Sequence, residues 1–327
     1  TIILITYRII LMILVTGGAG FIGLNFIYSL LQYTDHNEIV NLDALTYASN
    51  RALLPKSNRH VLIQGDINDR NLVNFLLKQQ PETIVHFAAE SHVDTSIKWP
   101  SRFMNTNANG TYNLLECVRE HCPETLFVHV STDEVYGELG EDDAPFTENH
   151  PYRPNSPYSA TKAASDLLVR AWSQTFGLRT IITHSSNNYG PLQFPEKLIP
   201  LTITRALEEK NLPVYGNGRQ IRDWIHVADH CSALRYIIDH GQVGETYNIG
   251  ARNEMTNISV VHKICQILDE VKPREDNRSY AELIEFVTDR PGHDQRYALD
   301  TTKLNNLGWT PKKNFDEELK NLITGYL

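Results

Sequence analysis

The chain has 327 residues, 41% of them hydrophobic, and a net charge of −9. That size and apolar content exclude a disordered or collagen-like chain and allow one large α/β domain, alone or with a smaller lobe. The acidic balance and the lack of any long basic run argue against nucleic-acid binding. Four cysteines, Cys117, Cys122, Cys231 and Cys265, form no C-x-x-C pair and have no histidine at zinc-finger spacing. They read as reduced thiols of a cytoplasmic protein. His86 and His92 lack the i, i+4 spacing of a metal-binding helix, so no metal is expected.

In chain order, Thr1 to Leu11 is apolar but too short to cross a bilayer. The glycines after it are no cleavage site, so no membrane role is expected. Met12 is read as the functional start, with residues 1–11 an extension. Met12 to Thr16 reads as a strand, followed by Gly17-Gly18-Ala19-Gly20-Phe21-Ile22-Gly23 and a helical pattern through Leu31. The G-x-x-G-x-x-G spacing suits a tight turn, close backbone approach to a pyrophosphate, and close helix packing, with the helix N-terminus facing the phosphate charge. A strand from Ile39 to Leu42 ends in Asp43, where a dinucleotide fingerprint expects the acid that binds the adenine ribose. A carboxylate there repels a 2′-phosphate, which favours NAD over NADP, although Arg51 is close in sequence. Asp66, after the strand His60 to Gln64, could reach the adenine or be a plain turn residue.

The alternation continues with helix Asp69 to Gln79, strand Thr83 to Ala88, helix Arg102 to His121 and strand Leu126 to Ser131. Strands alternating with helices predict a Rossmann-type, doubly wound parallel sheet. The strand ending in Ser131 runs into Thr132-Asp133-Glu134, two carboxylates at a buried strand end, a costly placement unless they have work to do. Adjacent side chains point to opposite faces of a strand, so for both to reach one ligand the backbone must leave strand geometry near Thr132. Residues 138–155 read as a loop over the site. The helix Ser156 to Phe176 then carries Tyr158 and Lys162 on one face. Beyond the strand Arg179 to His184 the pattern loosens: helices are expected over Glu196 to Glu209, Trp224 to Asp239, Ile258 to Leu268 and Phe315 to Tyr326, a glycine-rich basic loop over Pro213 to Arg222, and a strand over Thr246 to Ile249. The division expected is a nucleotide domain over 12–185, with 223–250 returning to it, and a substrate-binding lobe over 186–222 and 251–327.

The glycine turn with Y-x-x-x-K resembles the extended short-chain dehydrogenase/reductase family. Within it the strings H-F-A-A-E-S-H-V-D, S-T-D-E-V-Y-G, S-N-N-Y-G-P, I-R-D-W-I-H-V-A-D-H and R-P-G-H-D resemble the nucleotide-sugar dehydratases. The resemblance implies NAD held by Gly17, Gly20, Phe21, Ile22, Gly23, Asp43, Asp66, Ile67 and Ala88, with Tyr158 and Lys162. It implies Tyr158 as base at the sugar 4-hydroxyl, Lys162 lowering the tyrosine pKa, Thr132 on the 4-oxygen, Asp133 as acid for the leaving 6-hydroxyl, and Glu134 as base at C5. Asn187, Asn188, Lys197, Leu198, Tyr215, Arg222, Asn257, Arg290 and His293 would bind the nucleotide sugar. Read alone, Arg222 could instead pair locally with Asp223, Asn257 could be a helix cap, and His293 could be a surface turn residue. The implied reaction is NAD-dependent dehydration of a nucleoside-diphosphate glucose, dTDP-glucose to its 4-keto-6-deoxy product first among them. UDP-glucose dehydration, 4-epimerisation, or non-catalytic NAD binding are the alternatives. The resemblance also implies a homodimer through the helices after Arg102 and Ser156. Two positions depart from the family pattern: Thr95 stands for an arginine, and His184-Ser185 for Arg-Cys.

Overall fold

A computed structural model of the chain describes residues 11–34 and 37–327. The expected extension lies outside them except for Leu11, which begins the first strand. The strands in chain order are β1 (Leu11–Thr16), β2 (Asn37–Asp43), β3 (His60–Gln64), β4 (Thr83–His86), β5 (Leu126–Thr132) and β6 (Thr180–Ser185), then β7 (Asn187–Tyr189), β8 (Leu212–Tyr215), β9 (Ile221–His226), β10 (Thr246–Ile249), β11 (Glu254–Thr256) and β12 (Ile284–Val287). Seven form one sheet in the order β10-β6-β5-β4-β1-β2-β3, and every pair in it is parallel. A parallel sheet is covered on both faces, so its central strands are buried at every residue rather than at alternate ones. Every residue of β4, β5 and β6 is accordingly buried.

One face packs under the Phe21–Tyr33 and Val227–His240 helices through Phe26, Ile27, Leu234 and Ile237. The other packs under Arg70–Leu77, Thr111–His121 and Pro157–Phe176 through Leu76, Leu115, Val118 and Val169. Each such side chain, fully buried, contributes roughly 1.5–3 kcal/mol. The strand order reverses between β1 and β4, and open sheets bind ligands in the crevice beyond the carboxyl ends at such a point.

Several expected elements differ. The helix expected over Arg102 to His121 is interrupted, because Met104–Gly110 winds as a π-helix between Pro100–Phe103 and Thr111–His121. The wider turn carries Asn107, which is buried and bonds to the chain after β4. The helix expected from Trp224 starts at Val227, since Ile221–His226 is strand β9. That strand pairs with β7 and β11 in a three-stranded sheet, and β8 with β12 in a two-stranded one. Around these sheets Ile203, Trp224, Val260, Leu268 and Leu319 form a separate core. The 138–155 segment does not line the main cavity. Its Leu139 and Phe146 are drawn instead into an apolar cluster with Tyr136, Ala298 and Leu299.

Candidate active site

The crevice between β1 and β4 is the mouth of one cavity, lined by Gly17, Gly20, Phe21, Ile22, Gly23, Asp43, Asp66, Ile67, Ala88, Thr132, Asp133, Glu134, Tyr158 and Lys162 together. The glycines are required sterically. Gly17 has φ +73, and a Cβ there would stand 2.6 Å from the Ala88 nitrogen. A Cβ on Gly23 would stand 2.4 Å from the Gly17 oxygen. The turn after β1 is braced by Asp43, which accepts from the Ala19 N–H at 2.8 Å, the Leu45 N–H at 2.7 Å and the Ser49 hydroxyl at 2.8 Å. A carboxylate offers about four acceptor positions, which leaves room for one more donor. A side-chain-free turn, a helix start behind it and an acid at the end of β2 fit a dinucleotide without a 2′-phosphate.

Opposite, β5 ends as the sequence requires. The Thr132 hydroxyl accepts the Glu134 N–H at 3.3 Å and donates to Asp133 Oδ1 at 3.2 Å, and Asp133–Tyr136 turns into a 3-10 helix. Strand alternation is thereby broken, and both acids reach the cavity. Asp133 is buried, and among the described residues its Oδ2 has no partner. Burial, then the charge of Glu134, raises its carboxyl well above the ordinary aspartate range, against the pull of Arg222. Glu134 is half-buried; burial raises it too, while Arg290, Arg222 and Lys197 favour its charged form.

Tyr158 and Lys162 are both buried on the Pro157–Phe176 helix. Ser156 starts it with a reciprocal cap: its hydroxyl accepts the Ser159 N–H and its own N–H donates to the Ser159 hydroxyl, each at 3.1 Å. Pro157 suits the first turn. Burial, followed by the charge of Glu134, pushes the Tyr158 phenol up, and contact with the Thr132 hydroxyl draws it down. Burial lowers Lys162 to about 8, with Asp166 opposing; its Nζ donates to the Val130 carbonyl at 2.9 Å.

Of the residues expected around the nucleotide sugar, Asn187, Asn188 and Lys197 line this cavity, while Leu198, Tyr215, Arg222, Asn257, Arg290 and His293 do not. Arg222 makes no pair with Asp223. Its guanidinium donates to the carbonyls of Ile221 at 2.7 Å and Asp294 at 2.8 Å and stacks 4.2 Å over the Tyr297 ring. Asp223 accepts instead from the N–H groups of Asn253 at 2.7 Å and Ala251 at 3.2 Å. Asn257 is not a cap either; Thr256 is, accepting from the Ser259 N–H at 3.2 Å. Arg290 lies 3.4 Å from Asp94, which also accepts from the Tyr215 hydroxyl at 2.9 Å. His293 is no surface residue: its side chain is 5% exposed and lies 2.7 Å from Asp289. Leu198 begins the Leu198–Leu207 helix.

Sequence reasoning missed Glu90, Thr106 and Phe194, which line the cavity, and Asn107, which ties Glu90 to Thr161. The asparagine-rich N-T-N-A-N-G run inside an otherwise helical pattern was the available signal for Asn107.

The GDP-mannose 4,6 dehydratase family matches residues 14–322. A dTDP-glucose 4,6-dehydratase of Xanthomonas campestris pv. campestris (strain B100) is 53% identical over 96% of this chain and 92% of its own. The dTDP-glucose 4,6-dehydratase of Streptomyces venezuelae, solved with NAD and a dTDP ligand bound, superposes with a TM-score of 0.90 at 43% identity, covering 97% of each chain. A UDP-glucose 4-epimerase of Thermus thermophilus, solved with NAD, has a TM-score of 0.86 but 28% identity, over 97% of this chain and 99% of its own.

Proposed function

The chain belongs to the GDP-mannose 4,6 dehydratase family and, within it, to the dTDP-glucose 4,6-dehydratases, and from that membership we propose that it converts dTDP-glucose to dTDP-4-keto-6-deoxyglucose with bound NAD. The observation that carries this reading is the pair of adjacent acids on one 3-10 turn, facing Tyr158 across the cavity, with environments that separate their roles. Such a separation is what an acid and a base working on neighbouring carbons need.

When bound, NAD would supply the hydride acceptor for C4 and the hydride donor for C6. Gly17, Gly20 and Gly23, with the N–H groups opening the next helix, would hold its pyrophosphate; Asp43 would take the adenine ribose, and Lys162 the other. Tyr158 removes the 4-hydroxyl proton while the Thr132 hydroxyl holds the 4-oxygen. Tyr158 stands high in this structure, so the positive charges of Lys162 and the nicotinamide must lower it for that step. The 4-ketone acidifies C5, Glu134 takes the C5 proton, and Asp133, kept protonated by burial, gives its proton to the departing 6-hydroxyl. Each such transfer typically contributes 10² to 10⁴-fold in rate. Lys197, Arg222 and Arg290 supply positive charge for the diphosphate, and all three act on Glu134. Asn187 and Asn188 line the cavity, and Leu198, Tyr215, Asn257 and His293, which stand outside it, are proposed to contact the nucleotide portion of the substrate.

A product assay tests the reading. Incubation with dTDP-glucose yields a product lighter by one water; product of unchanged formula rejects it in favour of an epimerase. UDP-glucose run in parallel decides the base.

A homodimer belongs to the same proposal. Tyr112, at 44% exposure, Leu167 at 57% and Phe176 at 48% stand out on the Thr111–His121 and Pro157–Phe176 helices, and a second copy is proposed to cover them. Sedimentation of the holoenzyme tests it; a monomer at micromolar concentration rejects it. A cytoplasmic location is proposed from the four free, buried cysteines; among the described residues no helix is long and apolar enough to cross a membrane.

A further inference from the structure

Behind the catalytic helix lies a buried polar cluster for which the reaction as written has no use. Asp166 follows Tyr158 and Lys162 at the same spacing of four, so the three stand in one row along the Pro157–Phe176 helix. Its Oδ2 lies 2.9 Å from His184 Nε2 and accepts from the Ser131 hydroxyl at 3.0 Å; its Oδ1 lies 3.1 Å from His129 Nε2. The side chains of Asp166, His184 and His129 are at most 1% exposed.

The proton count around His184 is constrained from both sides. The Asn248 amide donates to the carbonyls of Phe146 at 2.9 Å and Asp300 at 3.3 Å, which fixes its oxygen toward Tyr136. The single Tyr136 hydroxyl proton therefore goes to that oxygen, 3.0 Å away. His184 Nδ1, only 2.7 Å from the same hydroxyl, must then carry a proton of its own. On the other side Nε2 faces a carboxylate, with the Tyr152 hydroxyl 3.2 Å away, and two lone pairs cannot face each other at that distance without a proton between them. His129, which burial holds near 4, stays neutral and supplies no compensating charge. Further out, Glu148 accepts from the Asn248 N–H at 3.0 Å, and Arg170 lies on the Tyr152 side.

We infer that His184 stands as an imidazolium paired with Asp166, and that its charge offsets part of the Asp166 charge felt by Lys162 and Tyr158. His184 is thus a positioning residue for the proposed base. Without its proton, a bare carboxylate one turn beyond Lys162 offsets the positive field that the tyrosine needs.

The inference rests on the proposed roles of Tyr158 and Lys162, and its test has one arm free of them. In the 15N-histidine-labelled holoenzyme, with His184 assigned by comparison with His184→Gln, both His184 ring nitrogens are protonated between pH 6 and 8. In the pH profile of kcat/KM, the acid limb of His184→Gln moves up by about one unit, whereas His184→Gln/Asp166→Asn, lacking both charges, returns to the wild-type limb. NAD content is measured in each variant. A neutral His184 in the wild-type protein overturns the inference, as does an unmoved limb in His184→Gln or a double variant displaced as far as the single one. Failure to turn over dTDP-glucose at all rejects the catalytic reading instead, and leaves the ring protonation to decide the pair.

Discussion

The Thr132 hydroxyl accepts the backbone N–H of Glu134 at 3.3 Å, and that cap turns the chain out of β5 within one residue. Because the turn starts there, Asp133 and Glu134 face the same cavity rather than opposite sides of the sheet. The proposed elimination depends on this local geometry more than on any other feature.

Glu134→Gln removes the proposed C5 base while keeping size and polarity. The expected outcome is a kcat loss of about 10² to 10⁴-fold with NAD content unchanged, and no exchange of the C5 hydrogen with solvent. Turnover within a fewfold of wild type takes Glu134 out of its role.

Asp133 must carry a proton to act as the acid, and burial with the Glu134 charge raises its pKa. Its protonated fraction, and with it the rate, falls as pH rises through that raised value. The wild-type kcat profile is therefore expected to have an alkaline limb that is absent from the residual activity of Asp133→Asn. An alkaline limb unchanged in the variant assigns it to another group.

Gly17→Ala places a methyl group 2.6 Å from the Ala88 nitrogen at φ +73. Strain of about 1–3 kcal/mol is expected from such a backbone position, and displacement of the β1 turn from the crevice releases NAD. Extraction of nucleotide from the purified variant checks this; wild-type NAD content refutes it.

Burial raises the Asp166 carboxyl, but hydrogen bonds from His129 and His184, with the His184 charge, outweigh it and hold Asp166 well below its ordinary value of 3.8. A depressed carboxylate contributes stability that is fully present above the unfolded value and is lost as pH falls through the folded one. Removing one member of a buried pair costs about 3–5 kcal/mol. Asp166→Asn is expected to lower Tm markedly at pH 7, with the gap to wild type narrowing below about pH 4. Equal melting at neutral pH argues that the pair adds nothing.

The nucleotide half was legible in the sequence because its determinants are local. A strand, a glycine turn and Asp43 follow one another at spacings set by backbone geometry, and T-D-E and Y-x-x-x-K sit at element ends that periodicity locates. β9 was not legible. In Ile221–His226 two charged residues are buried, Arg222 under Tyr297 and Asp223 on loop N–H groups, so the pattern suggested a loop running into a helix. The π-turn at Asn107 is held by contacts with Glu90 and Thr161 on distant segments, which the N-T-N-A-N-G run marks but does not specify.

The central claim is that Glu134 and Asp133 eliminate water across C5 and C6 of dTDP-glucose, and conversion of that sugar in deuterated water by the purified holoenzyme measures it most directly. The account predicts a 4-keto-6-deoxy product carrying solvent deuterium at C5 and lighter by one water once the label is allowed for. A product of unchanged formula, or one with protium retained at C5, contradicts it.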